Sequence, residues 1–115
     1  MILDVNINHI APGTAVVAMS GALTLGTSLL AADTNLQNLI KAGTVKIVLD
    51  LSGVPYIDSA GLGAIVHAYG LAMEKQGAMR LCGINEKVAS LLKMTRMDTF
   101  LNVDPDSATS LAALA

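Results

Sequence analysis

Asp58 and Ser59 stand side by side where an irregular stretch gives way to apolar residues at helical spacing, and several chemistries could be built on them. The first is nucleophilic. A serine at a strand-to-helix turn has the placement of a hydrolase nucleophile, but that turn asks for G-x-S-x-G, and position 57 here is Ile57. The serine would also need a base within hydrogen-bond reach. His67 lies further along the same expected helix, ~12 Å of rise away, too far to serve; nothing in the pattern directs His9 to it. The second is phosphate binding in a glycine cradle. Gly61 and Gly63 lack the third glycine of a dinucleotide fingerprint, and no G-x-x-x-x-G-K-[ST] occurs. Two such glycines serve close backbone approach just as well. A metal site fails on donor count and spacing, with Cys82, His9 and His67 scattered along the chain.

The third chemistry makes Ser59 a recipient. Either Asp58 or Ser59 is a good helix N-cap, because its side-chain oxygen can accept from free amides of the first turn. A hydroxyl there is also open to phosphorylation, and the two readings stand side by side. A phosphate adds ~1.5–2 negative charges, which a helix N-terminus tolerates. A partner covering the spot would have to desolvate that charge beside the Asp58 carboxylate, at a cost of several kcal/mol. Because ~1.4 kcal/mol is tenfold in affinity, phosphorylation would act as an off-switch without unfolding anything. Ala60, Ala64 and Ala68, with Gly61 and Gly63, would offer that partner a flat surface of small residues.

The elements that must position the pair follow from periodicity. Val45, Ile47, Leu49 and Leu51 share one parity and Lys46 and Asp50 the other, as in a half-buried strand. Ser52, Gly53 and Pro55 break the pattern as a loop. Leu62, Ile65, Val66, Tyr69 and Met73 then recur at helical spacing, and Gly77 closes the helix. Upstream, Leu3, Val5 and Ile7 alternate with Asp4, Asn6 and Asn8. Pro12-Gly13 marks a turn into a second strand over 14–20, which Gly21 ends, so the two strands form a hairpin. From Thr24 onward Leu25, Leu29, Ala32, Leu36, Leu39 and Ile40 make one helical stripe, stopped at Gly43. Downstream come a strand over 79–82, a helix capped by Asn85 with Val88, Leu91 and Leu92 inside, and a short strand over 100–103. Asp104-Pro105 then opens a last helix over 107–115. The order predicts an α/β fold: a small mixed β-sheet of four to five strands, with about four helices packed mainly on one face.

The 115 residues suffice for one domain, 1–115, with a modest core. A net charge of −2 leaves no basic footprint, and 3% aromatic residues leave no stacking platform, so no direct nucleic-acid partner is expected. The single Cys82 excludes an internal disulfide and suits a reducing compartment. An apolar share of 53% calls for a membrane test, and 10–32 is uncharged over the ~20 residues a span requires. Pro12, Gly13, Gly21 and Gly26 interrupt it, and its periodicity changes partway. No basic residue precedes Lys41, so no signal peptide is read either. A soluble, cytoplasmic protein without membrane insertion is expected, and the apolar surplus leaves room for a homodimer hiding Leu- and Met-rich surface.

The run V-L-D-L-S-G-V-P-Y-I-D-S-A-G-L-G, followed by G-A-M-R-L-C-G-I and V-A-S-L-L-K-M-T-R-M-D-T-F, resembles the anti-sigma factor antagonists, the single-domain bacterial members of the STAS family. The likeness runs from Ile2 to about Ala112. It implies a small mixed sheet with helices and a binding protein, not an enzyme. It also implies that Ser59 is phosphorylated by an anti-sigma factor that is itself an ATP-dependent serine kinase. In the implied cycle the unphosphorylated chain binds that kinase through Thr24, Asp58, Ser59, Ala60, Gly61, Leu62 and Gly63, freeing a sigma factor. Phosphorylation of Ser59 ends the complex and a metal-dependent serine phosphatase restores it. ATP belongs to the kinase, so the chain itself needs no cofactor. Many members carry an E-x-D-like acidic pattern after the second strand; here Gly21 is followed by Ala22, Leu23 and Thr24. STAS domains also serve as passive interaction subunits of transporters or stress-signalling complexes, in which Ser59 would be only a helix cap.

Overall fold

Alternation at the start of the chain becomes a hairpin. Strand β1 (Asp4–Ala11) pairs antiparallel with β2 (Thr14–Ser20) across the Pro12-Gly13 turn. The computed structural model describes residues 3–115, so Ile2, where the family likeness begins, lies outside the described residues. Strands β3 (Lys46–Gly53), β4 (Ala78–Cys82) and β5 (Asn102–Asp104) add in parallel, giving a five-stranded mixed sheet of order β1-β2-β3-β4-β5.

Helices α1 (Thr27–Lys41), α2 (Ser59–Glu74) and α3 (Glu86–Met94) are the crossovers between parallel strands. Each crossover advances the sheet in the same direction, and such connections are right-handed, so all three helices fall on one face. Helix α4 (Ser107–Leu114) follows the last strand and packs on β3, β4 and β5 from the other side. The expected α/β fold, with helices mainly on one face, is the observed one.

Register aligns the core. Ala15, Ile47 and Met79 form one row across β2, β3 and β4, and Val17, Leu49 and Leu81 the next. All are buried, most of them against Leu29, Leu36 and Ile40 of α1 and Leu62, Ile65 and Ala72 of α2. Each large aliphatic side chain so removed from water contributes about 1.5–3 kcal/mol. On the opposite face Val48 and Cys82 are buried under α4. Burial, with the Asp50 carboxylate behind it, pushes the Cys82 thiol up to about 11, so it remains protonated and unreactive.

The structure corrects the sequence reading in several places. Helix α1 begins at Thr27, not Thr24, and Leu25 lies exposed in the preceding loop instead of on the buried stripe. On α2 the buried stripe runs through Ala68 and Ala72, while Met73 is exposed; methyl side chains let the helix lie close to the sheet. Phe100 precedes the last strand and packs on Tyr69, ring centroids 5.3 Å apart. The N-cap of α4 is Asp106, whose carboxylate accepts from the Thr109 amide at 2.8 Å; Asp104 is a strand residue held by Arg80 and Ser110. The uncharged run 10–32 divides among β1, the turn, β2, a loop and α1. No helix among the described residues is long and apolar enough to cross a membrane.

Candidate functional site

The connections that follow β2 and β3 zip together beyond the ends of their strands. The Gly21 amide donates to the Gly53 carbonyl at 2.9 Å, the Leu23 amide to the Tyr56 carbonyl at 3.2 Å, and the Asp58 amide to the Leu23 carbonyl at 3.1 Å. Leu23 and Ile57 thereby form a parallel bridge, both side chains buried. This pairing holds the loop at Gly21 and Leu23 against residues 53–58, which is why α1 cannot begin at Thr24.

Asp58 completes the junction. Its Oδ1 accepts from the Gly61 amide at 2.8 Å, capping α2, and its Oδ2 accepts from the Leu25 amide at 2.9 Å. The Leu25 amide, and after it that of Gly61, hold the Asp58 carboxyl below the usual carboxylate range. The reading of Ser59 as only a helix cap is therefore corrected: Asp58 takes the cap, and Ser59 is the first residue of the helix, exposed, its hydroxyl free of that duty. Because the folded value is lowered, the carboxylate's contribution is present above the ordinary Asp range and lost as pH falls through the folded value. The protection of the Leu25 and Gly61 amides, taken as exchange relative to the intrinsic rate at each pH, is accordingly expected to fall in acid, below the ordinary Asp range. Asp58→Asn should exchange faster at neutral pH and lose that acid dependence, since its NH2 replaces one of the two acceptors. Equal acid dependence in both chains would assign the transition to another group.

The other expected partner-binding residues fall into two sets. Ser59 and Gly63 are exposed, and Thr24, Asp58 and Ala60 are half-buried at the same end of α2 or on the loop latched to it. Gly61 and Leu62, also expected in that contact, are corrected by the structure: both are buried behind the other five, because the inner face of α2 packs on the sheet and the Leu23 loop. Ala68, expected on the small-residue surface, is fully buried, so that surface consists of Ala60, Gly63 and Ala64. These three form one wall of a cleft of about 150 Å³ between α1 and α2, with Leu25, Leu29, Leu30, Asp33 and His67 around it. Periodicity and motif did not single out Leu23, Leu25 as a backbone donor, or Asp33. Their roles depend on contacts between residues more than thirty positions apart, and no local pattern carries such a signal.

Other regions offer less. His67 Nδ1 faces Asp33 Oδ1 at 3.7 Å across the two helices. A shallow concavity of about 460 Å³ lies at the carboxyl ends of β2 and β3. The Asn85 amide on its edge is already committed, donating to the Pro55 carbonyl at 2.8 Å and accepting from the Val88 amide at 2.9 Å. No group of three or more His, Cys, Asp or Glu side chains is arranged to hold a metal among the described residues.

The chain with this mixed five-stranded sheet and helical crossovers belongs to the STAS domain family, whose model matches residues 7–110. Several of the proteins it is similar to are anti-sigma factor antagonists. It is 29% identical over 114 residues to the anti-sigma F factor antagonist of Paenibacillus polymyxa, covering 99% of this chain and 97% of that protein. A Thermotoga maritima protein assigned as an anti-sigma factor antagonist superposes with a TM-score of 0.86 at 24% identity, over 96% of this chain and 93% of that one. The phosphorylated form of the Bacillus cell fate determinant SpoIIAA superposes with a TM-score of 0.78 at 11% identity, over 97% and 100% of the two chains. At these identities the two structures establish the fold.

Proposed function

We propose that this chain is an anti-sigma factor antagonist, a binding protein whose unphosphorylated form sequesters an anti-sigma factor serine kinase and so releases a sigma factor. The contact surface is the start of α2 with the loop latched to it: Thr24, Asp58, Ser59, Ala60 and Gly63, supported from behind by Gly61 and Leu62. The observation that carries the reading is the exposed Ser59 at the first position of α2, beside an Asp58 that already occupies the cap. The γ-phosphoryl of ATP passes to Ser59 Oγ, the hydroxyl proton leaves to a base of the kinase, and ADP departs. The free helix end accommodates the new charge. The Asp58 carboxylate sits next to it, its acceptors turned to Leu25 and Gly61, so a partner closing over both would bury two like charges together. A serine phosphatase reverses the step by hydrolysis. The ATP requirement places the cycle in the cytoplasm, and ATP remains the kinase's, so the chain carries no cofactor.

Incubation with candidate anti-sigma factor kinases and ATP, followed by intact mass, tests this. One phosphoryl addition is expected on the wild-type chain and none on Ser59→Ala. Ser59→Ala should retain the complex in gel filtration, while Ser59→Asp weakens it tenfold or more, the equivalent of ~1.4 kcal/mol. Absence of the addition, together with undiminished binding by Ser59→Asp, would sink the switch.

A further inference from the structure

The cleft between α1 and α2 carries two features that folding alone does not account for. Leu25 and Leu30 on its rim are 74% and 59% exposed, large apolar side chains kept in water beside a floor of Ala60, Gly63 and Ala64. Asp33, on the same wall, has a buried Oδ1 with no hydrogen-bond partner among the described residues. Its Oδ2 accepts from Gln37 Nε2 at 3.1 Å, but His67 Nδ1, at 3.7 Å from Oδ1, stands beyond hydrogen-bond reach. A buried acceptor left unpaired is costly and calls for a donor. Apart from His67 this face supplies no basic side chain: the chain has no Lys or Arg before Lys41, and none between Ser59 and Glu74. At about 150 Å³ the cleft is below the ~300–1,000 Å³ of small-molecule sites and suits a single side chain.

We propose that this cleft is the specificity pocket for the kinase partner, receiving one aliphatic side chain of the partner between Leu25, Leu30 and Gly63. A guanidinium or ammonium beside that side chain donates to Asp33 Oδ1. The exposed His67 swings aside to admit it. The proposal rests on the anti-sigma factor reading above and adds to it the chemistry of the partner's contact. A second copy of this chain is the poorer occupant, because a two-fold contact would bring Asp33 against Asp33. The cleft adjoins Ser59 through Ala60 and Gly63, so one partner can cover both.

The test uses the full chain and the anti-sigma factor kinase identified by the mass assay. Gly63→Leu puts a large side chain into the cleft, and the helix backbone accepts it, since a Cβ at Gly63 meets nothing within 4 Å. Asp33→Asn removes the charge at nearly constant shape. With unchanged unfolding temperatures, both are expected to weaken the unphosphorylated complex roughly tenfold or more, the size of a lost anchor or charge contact. Wild-type affinity in both variants overturns the pocket and leaves the Ser59 switch standing. Weakening by both, with Ser59→Asp binding as wild type, supports the pocket and removes the switch. A chain that binds no such kinase, or a Gly63→Leu chain that instead loses a self-dimer, overturns the pocket.

Discussion

Gly61→Ala is expected to cost this protein about 3 kcal/mol or more, whereas Gly63→Ala, two positions along the same helix, should cost nothing. A Cβ at residue 61 would lie 2.1 Å from the carbonyl oxygen of Leu23 and 2.9 Å from its carbonyl carbon. These are backbone atoms, which no rotamer change can withdraw. The carbonyl in question accepts from the Asp58 amide at 3.1 Å, so moving it breaks the pairing that fixes residues 21–26. Overpacking costs about 1–3 kcal/mol where side chains can yield, and this site has only backbone to yield. A fall in Tm of roughly 10–20 °C follows for a chain of this length. At Gly63 nothing stands within 4 Å, and alanine gains up to ~1 kcal/mol of helix propensity. Thermal unfolding followed by circular dichroism checks both. A Gly61→Ala chain with wild-type Tm would mean that α2 and the Leu23 loop do not touch.

The pair also explains how the candidate switch is held. Ser59 can be both exposed and fixed because the residues on either side of it do the anchoring: Asp58 by its two accepted amides, Gly61 by its approach to Leu23. A phosphoryl group added between them meets a junction that has no slack. The expected response is a change in who can bind, with the fold unchanged.

Much of this was legible in the sequence, because the signals were local. Alternation marked β3, Asp58 and Asn85 are capping types at helix starts, and the glycines after Ser59 announced close approach. The start of α1 was not legible. Leu25 has the right spacing for the stripe of Leu29, Ala32 and Leu36, but the pairing of its loop with residues 53–58, completed by the bond from its amide to Asp58 33 residues away, keeps it out of the helix. The small-residue surface was half legible: spacing placed Ala60, Ala64 and Ala68 together, but the phase of the helix against the sheet buried Ala68 and left Gly63 outside. The last helix misled for a different reason. The run Asp104-Pro105-Asp106 offers two capping carboxylates, and an ion pair to Arg80 on the neighbouring strand β4, 24 residues earlier in the chain, decides between them.

That ion pair gives the second large expected effect. Asp104→Ala should cost about 3 kcal/mol, while Asp106→Ala should fray only the end of α4. Asp104 accepts from Arg80 Nε at 2.7 Å, Arg80 Nη2 at 3.1 Å and Ser110 Oγ at 2.6 Å. Its side chain is 10% exposed and that of Arg80 24%, so removal strands a partly buried guanidinium and a buried hydroxyl together. The Arg80 guanidinium, and then Ser110, hold the Asp104 carboxyl below the usual range. Its contribution is therefore complete above the ordinary Asp range and disappears as pH falls through the lowered value, so the gap between wild type and Asp104→Ala in urea should close in acid. Asp106 supports only Thr109, through its amide at 2.8 Å and its hydroxyl at 2.7 Å, within an 8-residue helix. Cys82 supplies an independent readout, since it is buried beneath α4 and its thiol becomes reachable only when that helix lifts. Thiol labelling at neutral pH should be fast in Asp104→Ala and close to wild type in Asp106→Ala. Equal rates in the two variants would mean that the cap, and not the ion pair, seats α4 on the sheet.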